Sequence, residues 1–486
     1  MDSNKDLLRG DRLAGMDDLA LRLTSSVQSD PKIAKAIVLI NLAHVSLLER
    51  SGAIDRETRA IISEALSKAY NGYRIDYRLE DVHMNLEMAV KESVGEKAGF
   101  LGLGKSRNDQ VVTAIRMVVK EELLETAREL GSLISSLLDT SALNKNTFMI
   151  GMTHLQPAQP STVAHWLLCY TGALLRDLRR LREAYHSSDA SPMGAAALAG
   201  STVYIDRAAE ALMLGFSGLV ENTMDSVSSR DFIADALYAL ASTAVDISRV
   251  ASDVMYLSST GLIRIADEYV STSSIMPQKR NAVVAEIIRA KTAVIMSNLE
   301  SSMEIMRGLN QTYNLDLQEI TPRLWASMEE IKPIIKVVGP MMASIKYDEA
   351  AMISAASASQ VTASDVAEWL STRYGIPFRS AHQLVGKAIR ETEDGGLGLQ
   401  GLVVKYSKQD LGLDIDAVEL AKRFDVVESI KLRLTEGGPN PMESDNIIRK
   451  HRQTLLEEGA WVKVESDRIK KAYQSLLGES LRDKEV

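Results

Sequence analysis

Cysteine occurs once, as Cys169, so no disulfide can form within the chain and a reducing compartment is the expected setting. Proline (11 residues) and aromatics (5%) are scarce, while Ala, Leu, Glu, Lys and Met dominate, which is helix-former chemistry over most of the length. No uncharged apolar run reaches about 18 residues, and the opening MDSNKDLLRGDRLAG has no apolar signal core. A cytoplasmic protein that leaves membranes alone is therefore expected. Excess positive charge is missing too. A net charge of −9 and a pI near 5.5 argue against nucleic acid as a bulk electrostatic partner. They leave room for a small anionic substrate held by a local cationic loop. No His, Cys and Asp cluster has metal-ligand spacing, so no metal is expected. Neither regular strand–helix alternation nor a 20–50-residue repeat is present.

What is present is helix periodicity. With 45% hydrophobic and 25% charged residues the 486-residue chain reads as globular, with length for about three domains of roughly 150 residues. Asp30-Pro31 can start a helix that runs to Arg50 and stops at Ser51-Gly52. A second runs from Asp55 to Tyr70, and Asp81-Val82-His83 begins a third. His83 reads as a packed or capping histidine. From Phe232 to Ser258 the pattern is strongest. Ile233, Leu237, Leu240, Ala244, Ile247, Ala251 and Val254 form a bundle-type apolar stripe. Helices over 109–138, 161–187, 283–308 and about 327–345 bring the long set to five, each roughly 30–45 Å by the 1.5 Å rise per residue. The spacing predicts an all-α protein with an N-terminal helical domain (1–108), a central long-helix bundle (109–355) and a C-terminal helical domain (356–486).

Three segments carry candidate chemistry. Ser271 to Glu286, STSSIMPQKRNAVVAE, reads as a loop to Pro277 followed by a helix from Val283. A serine hydroxyl is a poor base unless positive charge or N–H donors help it ionise. Lys279 and the nearby helix start could do so, and Asn281 adds an amide donor; the bland alternative is a polar loop capping a helix. Gly151 to Pro160, GMTHLQPAQP, places His154 between Thr153 and Gln156 in a Pro-stiffened segment. His165 follows in a helix and reads as packing. Gly99 to Ser106, GFLGLGKS, satisfies the phosphate-loop expression. The residues before it are helical in pattern, however, and a phosphate loop must follow a buried strand, so the match reads as accidental.

Thr272-Ser273-Ser274-Ile275-Met276-Pro277-Gln278-Lys279-Arg280-Asn281 resembles the fumarase/aspartase superfamily signature G-S-S-x-M-P-x-K-x-N, with Thr272 in place of Gly. Ala282 replaces a common Pro. Thr153, His154, Gln156, Gln159 and Pro160 match the family's T-H-x-Q-x-A-Q-P. Ser106 to Gln110 (S-R-N-D-Q), Tyr313 to Glu319 (Y-N-x-D-L-Q-E) and Gly375 to His382 (G-x-P-F-R-x-A-H) resemble the argininosuccinate lyase branch. Asn222 to Asp225 and Ser229 to Phe232 resemble it as well. The likeness begins near Ser26 and covers nearly the whole chain.

The resemblance implies a fumarase/aspartase-like fold and reversible β-elimination of argininosuccinate to arginine and fumarate, with no organic cofactor. It implies Ser273 as base, Lys279 and Asn281 stabilising the carbanion's carboxylate, and His154 protonating the departing nitrogen with Glu286 orienting its imidazole. Thr153, Gln156 and Asn108 would contact substrate, with Arg107 beside Asn108. Ser26, Asp81, Tyr313 and Gln318 are candidates for the arginine half. A family lysine is replaced by Thr321, and Arg323 is the candidate substitute. His382 would be structural. The family assembles as a homotetramer with sites shared between subunits, which is the expectation carried over here. Two other readings are a different fumarate-releasing lyase of adenylosuccinate type, which would lack the Y-N-x-D-L-Q-E and P-F-R-x-A-H matches, and a structural crystallin-like protein of the same fold.

Overall fold

The structure, a computed structural model, describes residues 12–13, 15–393 and 397–482. After a short helix at Asp18–Thr24, three longer ones follow: α1 (Ala34–Arg50), α2 (Arg56–Tyr70) and α3 (Val82–Val94). Each starts where the sequence supplies a start. Asp30-Pro31 forms a 3₁₀ turn leading into α1, Asp55 caps α2 through Thr58 N at 2.7 Å, and Asp81 caps α3 through Met84 N at 2.7 Å. The span Asp30–Arg50 is long and apolar enough to cross a membrane, but 78% of its apolar window is buried against the rest of the protein.

Five long helices form the centre: α4 (Arg107–Leu143), α5 (Val163–Ser188), α6 (Asp231–Ser259), α7 (Val283–Met306) and α8 (Ile320–Ala343). α4 packs on α5 and α8, and α6 packs on α5 and α7. All seven stripe residues of α6 are buried, from Ile233 to Val254. Truncating one of them, such as Leu240, would cost about 2–5 kcal/mol in lost burial and cavity formation. α8 starts well before the expected position near 327. Pro322 lies in its first turn, where its missing N–H has no intrahelical partner to lose, and the helix also continues through Pro333 and Pro340.

The start of α4 answers the phosphate-loop question. Residues Gly95–Gly102 form a 3₁₀ segment rather than a strand, and Ser106 with Asp109 makes a capping box. Lys105 is not free to hold phosphate: its ammonium donates to Asn41 and to Gln110 Oε1 at 3.0 Å, and burial lowers its pKa to about 8.

The C-terminal part contains α9 (Ala363–Tyr374), α10 (Phe378–Glu393), α11 (Leu399–Leu411) and the long α12 (Pro441–Arg482). Buried apolar residues fall into two clusters. The smaller holds Val366, Leu370, Leu384, Leu402 and Leu420. The larger runs from α1 through the bundle and takes in Ile448, Val462, Ile469 and Leu476 of α12, which lies back along α4 and α5. The expected helix to Val486 is seen to Arg482, and residues 483–486 lie outside the described ones. His382 is exposed on α10, its ring 6.1 Å from that of Phe378.

Candidate active site

Six of the expected site residues line one cavity of about 190 Å³: Ser26, Asp81, Arg107, Asn108, Tyr313 and Gln318. They come from four places in the chain, brought together where α3, α4 and the segment before α8 meet. Asp81 does two jobs there. Its Oδ1 caps α3, and its Oδ2 accepts from Arg107 Nη1 at 2.6 Å. Ser26 Oγ donates to Asp30 Oδ2 at 2.6 Å, and Gln318 Nε2 donates to the Thr24 carbonyl at 2.8 Å, which draws the N-terminal segment over the cavity. Asn108 Nδ2 donates to the Ala197 carbonyl at 3.2 Å.

Residues not assigned to the site above also face this cavity. Asp30 is buried, and burial raises its carboxyl to about 6. Arg230 is 3% exposed, and burial lowers its guanidinium to about 10. His83 is buried, and burial pushes its imidazole down to about 4, so it stays neutral near pH 7. Arg107 Nη2, Arg230 Nε and both ring nitrogens of His83 are buried without a hydrogen-bond partner. Buried unpaired polar groups are costly, and a polar ligand here would satisfy them. Thr321 lines the wall, but Arg323 does not replace the family lysine in it. Arg323 instead donates to Ser301 Oγ at 3.0 Å and to the Glu319 carbonyl. The extra cation at this cavity is Arg230.

The segment around His154 is a hairpin rather than an irregular loop. β1 (Phe148–Thr153) pairs antiparallel with β2 (Gln156–Thr162), Thr153 facing Gln156 and His154-Leu155 forming the turn. Gly151 is required by close approach, since a Cβ there would sit 2.7 Å from the Gln159 carbonyl oxygen. Thr153 and His154 line a second cavity of about 470 Å³, with Trp166, Asp253 and Tyr256. His165 lies at the same cavity and bonds Ser161 Oγ through Nδ1 at 2.8 Å.

Ser273 sits in a third place. β3 (Ser271–Thr272) and β4 (Arg280–Asn281) pair antiparallel and close a loop between them. The loop is thus a hairpin, and β4 and Ala282 separate it from the start of α7 at Val283. The donors that reach Ser273 are its own loop's. Ile275 N at 3.3 Å and Met276 N at 3.2 Å both donate to Ser273 Oγ, in place of the helix start expected from sequence. Lys279 is exposed and, among the described residues, paired with no carboxylate. Glu286 lies exposed in the first turn of α7, and among the described residues no hydrogen bond or ion pair joins it to His154. Ser273, Lys279, Asn281 and Glu286 line neither of the two cavities.

A long-helix bundle carrying an exposed serine hairpin defines a lyase of the fumarase/aspartase superfamily. Residues 19–297 match the lyase family profile, and the fold overlays a class II fumarase from Schistosoma mansoni with TM-score 0.68 at 18% identity, covering 82% of this chain and 90% of that one. Residues 360–431 match the argininosuccinate lyase C-terminal profile. The chain belongs to the argininosuccinate lyase family. It is 39% identical over 450 residues to the argininosuccinate lyase of Methanothermobacter thermautotrophicus, covering 89% of this chain and 96% of that one. Among solved structures, EDDS lyase in complex with formate overlays with TM-score 0.84 at 25% identity, covering 93% of this chain and 92% of that one.

Proposed function

We infer that the chain cleaves argininosuccinate to L-arginine and fumarate by reversible β-elimination. The observation that carries the chemical part of this reading is the pair of backbone N–H groups on Ser273 Oγ. Donors aimed at a hydroxyl oxygen favour its ionised form, and Lys279 six residues on adds positive charge. The Ser273 alkoxide takes the proton from the carbon beside a succinyl carboxylate. The electron pair left on carbon spreads into that carboxylate, where Lys279 and Asn281 hold the charge. The carbon–nitrogen bond then breaks, and the departing guanidino nitrogen takes a proton from His154. Glu286 orients that imidazole and favours its charged form. Thr153, Gln156 and Asn108 hold substrate carboxylates. The cavity with Ser26, Asp81, Tyr313 and Gln318 takes the arginine half, Arg107 being fixed there by Asp81.

We propose that the working form is a homotetramer whose sites draw on several subunits. Support comes from the separation of the two cavities and the serine hairpin within one chain. It also comes from α7, where Ile287 and Val294 on one side and Met296 and Met303 on the opposite side are each about half exposed, leaving apolar surface to cover on both flanks of the helix. A cytoplasmic location is proposed from the lone cysteine. The test of the activity is a stoichiometric assay with purified protein and argininosuccinate, with a chelator present. Equal amounts of fumarate and arginine are expected, and no product would sink the reading.

A further inference from the structure

His154 and Leu155 are the two central residues of the β1–β2 turn, and both have positive φ, 55° and 59°. That backbone is the one two-residue hairpins favour, but it suits Asn-Gly and is strained for ordinary side chains. The ladder beside the turn is weak. Pro157, facing Met152, has no N–H to give, and the register slips between Gly151 and Met152. Leu155 is 63% exposed and His154 is exposed, so packing does not hold the turn either.

One bond from outside the hairpin does. Tyr256 Oη donates to the Leu155 carbonyl at 2.9 Å. Tyr256 sits near the end of α6, and that end is itself anchored. Three residues earlier on α6, Asp253 accepts from Trp166 Nε1 at 2.8 Å and from Tyr170 Oη at 2.5 Å. Trp166 and Tyr170 belong to α5, the helix that β2 runs into. The hairpin is thus clamped at its base by the chain and at its tip by Tyr256, both ends referred to the same helix pair.

We propose that Tyr256 is a positioning residue for the lyase reaction, holding the strained His154-Leu155 turn so that the imidazole stays in reach of the departing nitrogen. The proposal rests on His154 being the proton donor. Tyr256 itself need not touch substrate. Its phenol acts through the Leu155 carbonyl, one residue from the imidazole.

The experiment is a cycle of Tyr256→Phe and Leu155→Gly in the full-length protein, with His154→Asn alongside. Tyr256→Phe should lower kcat about three- to tenfold, the equivalent of one lost hydrogen bond, with KM within about twofold. It should also speed hydrogen exchange at the turn amides. Glycine adopts positive φ without strain, so Leu155→Gly should make the turn independent of the clamp. Adding Tyr256→Phe to Leu155→Gly should then cost less than about twofold in kcat. The same loss in both backgrounds would overturn the proposal, because the tyrosine would then act other than through the turn. Full activity of Tyr256→Phe with His154→Asn inactive would overturn it while sparing the role of His154. An active His154→Asn enzyme would instead remove the reading on which the proposal rests. If Tyr256→Phe does not fold, unchanged turn exchange in Tyr256→Trp, read against Leu155→Gly, would count against the clamp.

Discussion

Arg107 Nη1 donates to Asp81 Oδ2 at 2.6 Å, while the other oxygen of the same carboxylate caps α3 at Met84. One side chain thus ties the start of α3 to the start of α4 and fixes a guanidinium whose Nη2 remains buried and unpaired at the cavity. Asp81→Asn keeps the cap acceptor but removes the charge. It should destabilise by about 1.5–3 kcal/mol, the range for a hydrogen bond to a charged group. It should raise KM more than it lowers kcat, since the proposed role of the Asp81 pair is to bind substrate and not to move a proton. Urea unfolding and steady-state kinetics check both parts.

Asp30 gives a pH prediction of definite sign. Burial raises its carboxyl to about 6 in the folded chain, above about 3.9 for an unperturbed aspartate. The folded state therefore binds more protons between those values, and this group's contribution to stability grows as pH falls through that window. Ionised Asp30 costs stability above pH 6. Asp30→Asn retains an acceptor for Ser26 Oγ and Val82 N, so it should be more stable than wild type at pH 8. A cationic guanidino group favours the ionised form, so the wild-type KM should rise as pH falls below about 6, and the variant should lose that dependence. His83 acts oppositely. Its pKa of about 4 lies below the usual 6.5, so its stabilising part is lost as pH falls, which is why single variants and not the bare pH profile are the test.

Ser273→Ala removes the proposed base from an exposed loop. Its kcat should fall by at least about 10²–10⁴, the range for a general acid–base group, while the thermal unfolding temperature stays within a degree or so. Near-normal kcat would remove Ser273 from the chemistry.

Much of this was legible from the chain, and the misses have physical reasons. The α6 stripe was readable because each apolar residue points to the same core, and periodicity is a local signal. The helix starts at Asp55 and Asp81 were local too. The β1–β2 hairpin was hidden because Pro157 and Pro160 mark an extended segment without naming its partner strand. The start of α8 was hidden by Pro322, which reads as a breaker unless the helix is known to begin just before it. The convergence of Asp30, His83 and Arg230 on one cavity joins residues up to 200 positions apart, and no spacing rule reports it. The Ser229 to Phe232 likeness was the one signal available for Arg230. For Tyr256 there was none, because a tyrosine near a helix end means nothing until the turn it holds is seen.

Subunit sharing predicts complementation. Inactive His154→Asn and Ser273→Ala proteins, mixed, gently unfolded and allowed to reassemble, should regain part of the activity, because some hybrid sites receive neither lesion. Hybrid assemblies that form and stay inactive would mean that each site takes both residues from one chain.

The most direct test of the account compares two substrates that share a succinyl half. Purified protein is given argininosuccinate or adenylosuccinate, and fumarate is followed by its ultraviolet absorbance. In the proposed function, the cavity lined by Asp30, Asp81, Tyr313 and Gln318 takes the guanidino-bearing half of the substrate. The predicted result is fumarate from argininosuccinate alone, abolished by Ser273→Ala. Equal release from both substrates, or release from adenylosuccinate alone, would contradict it.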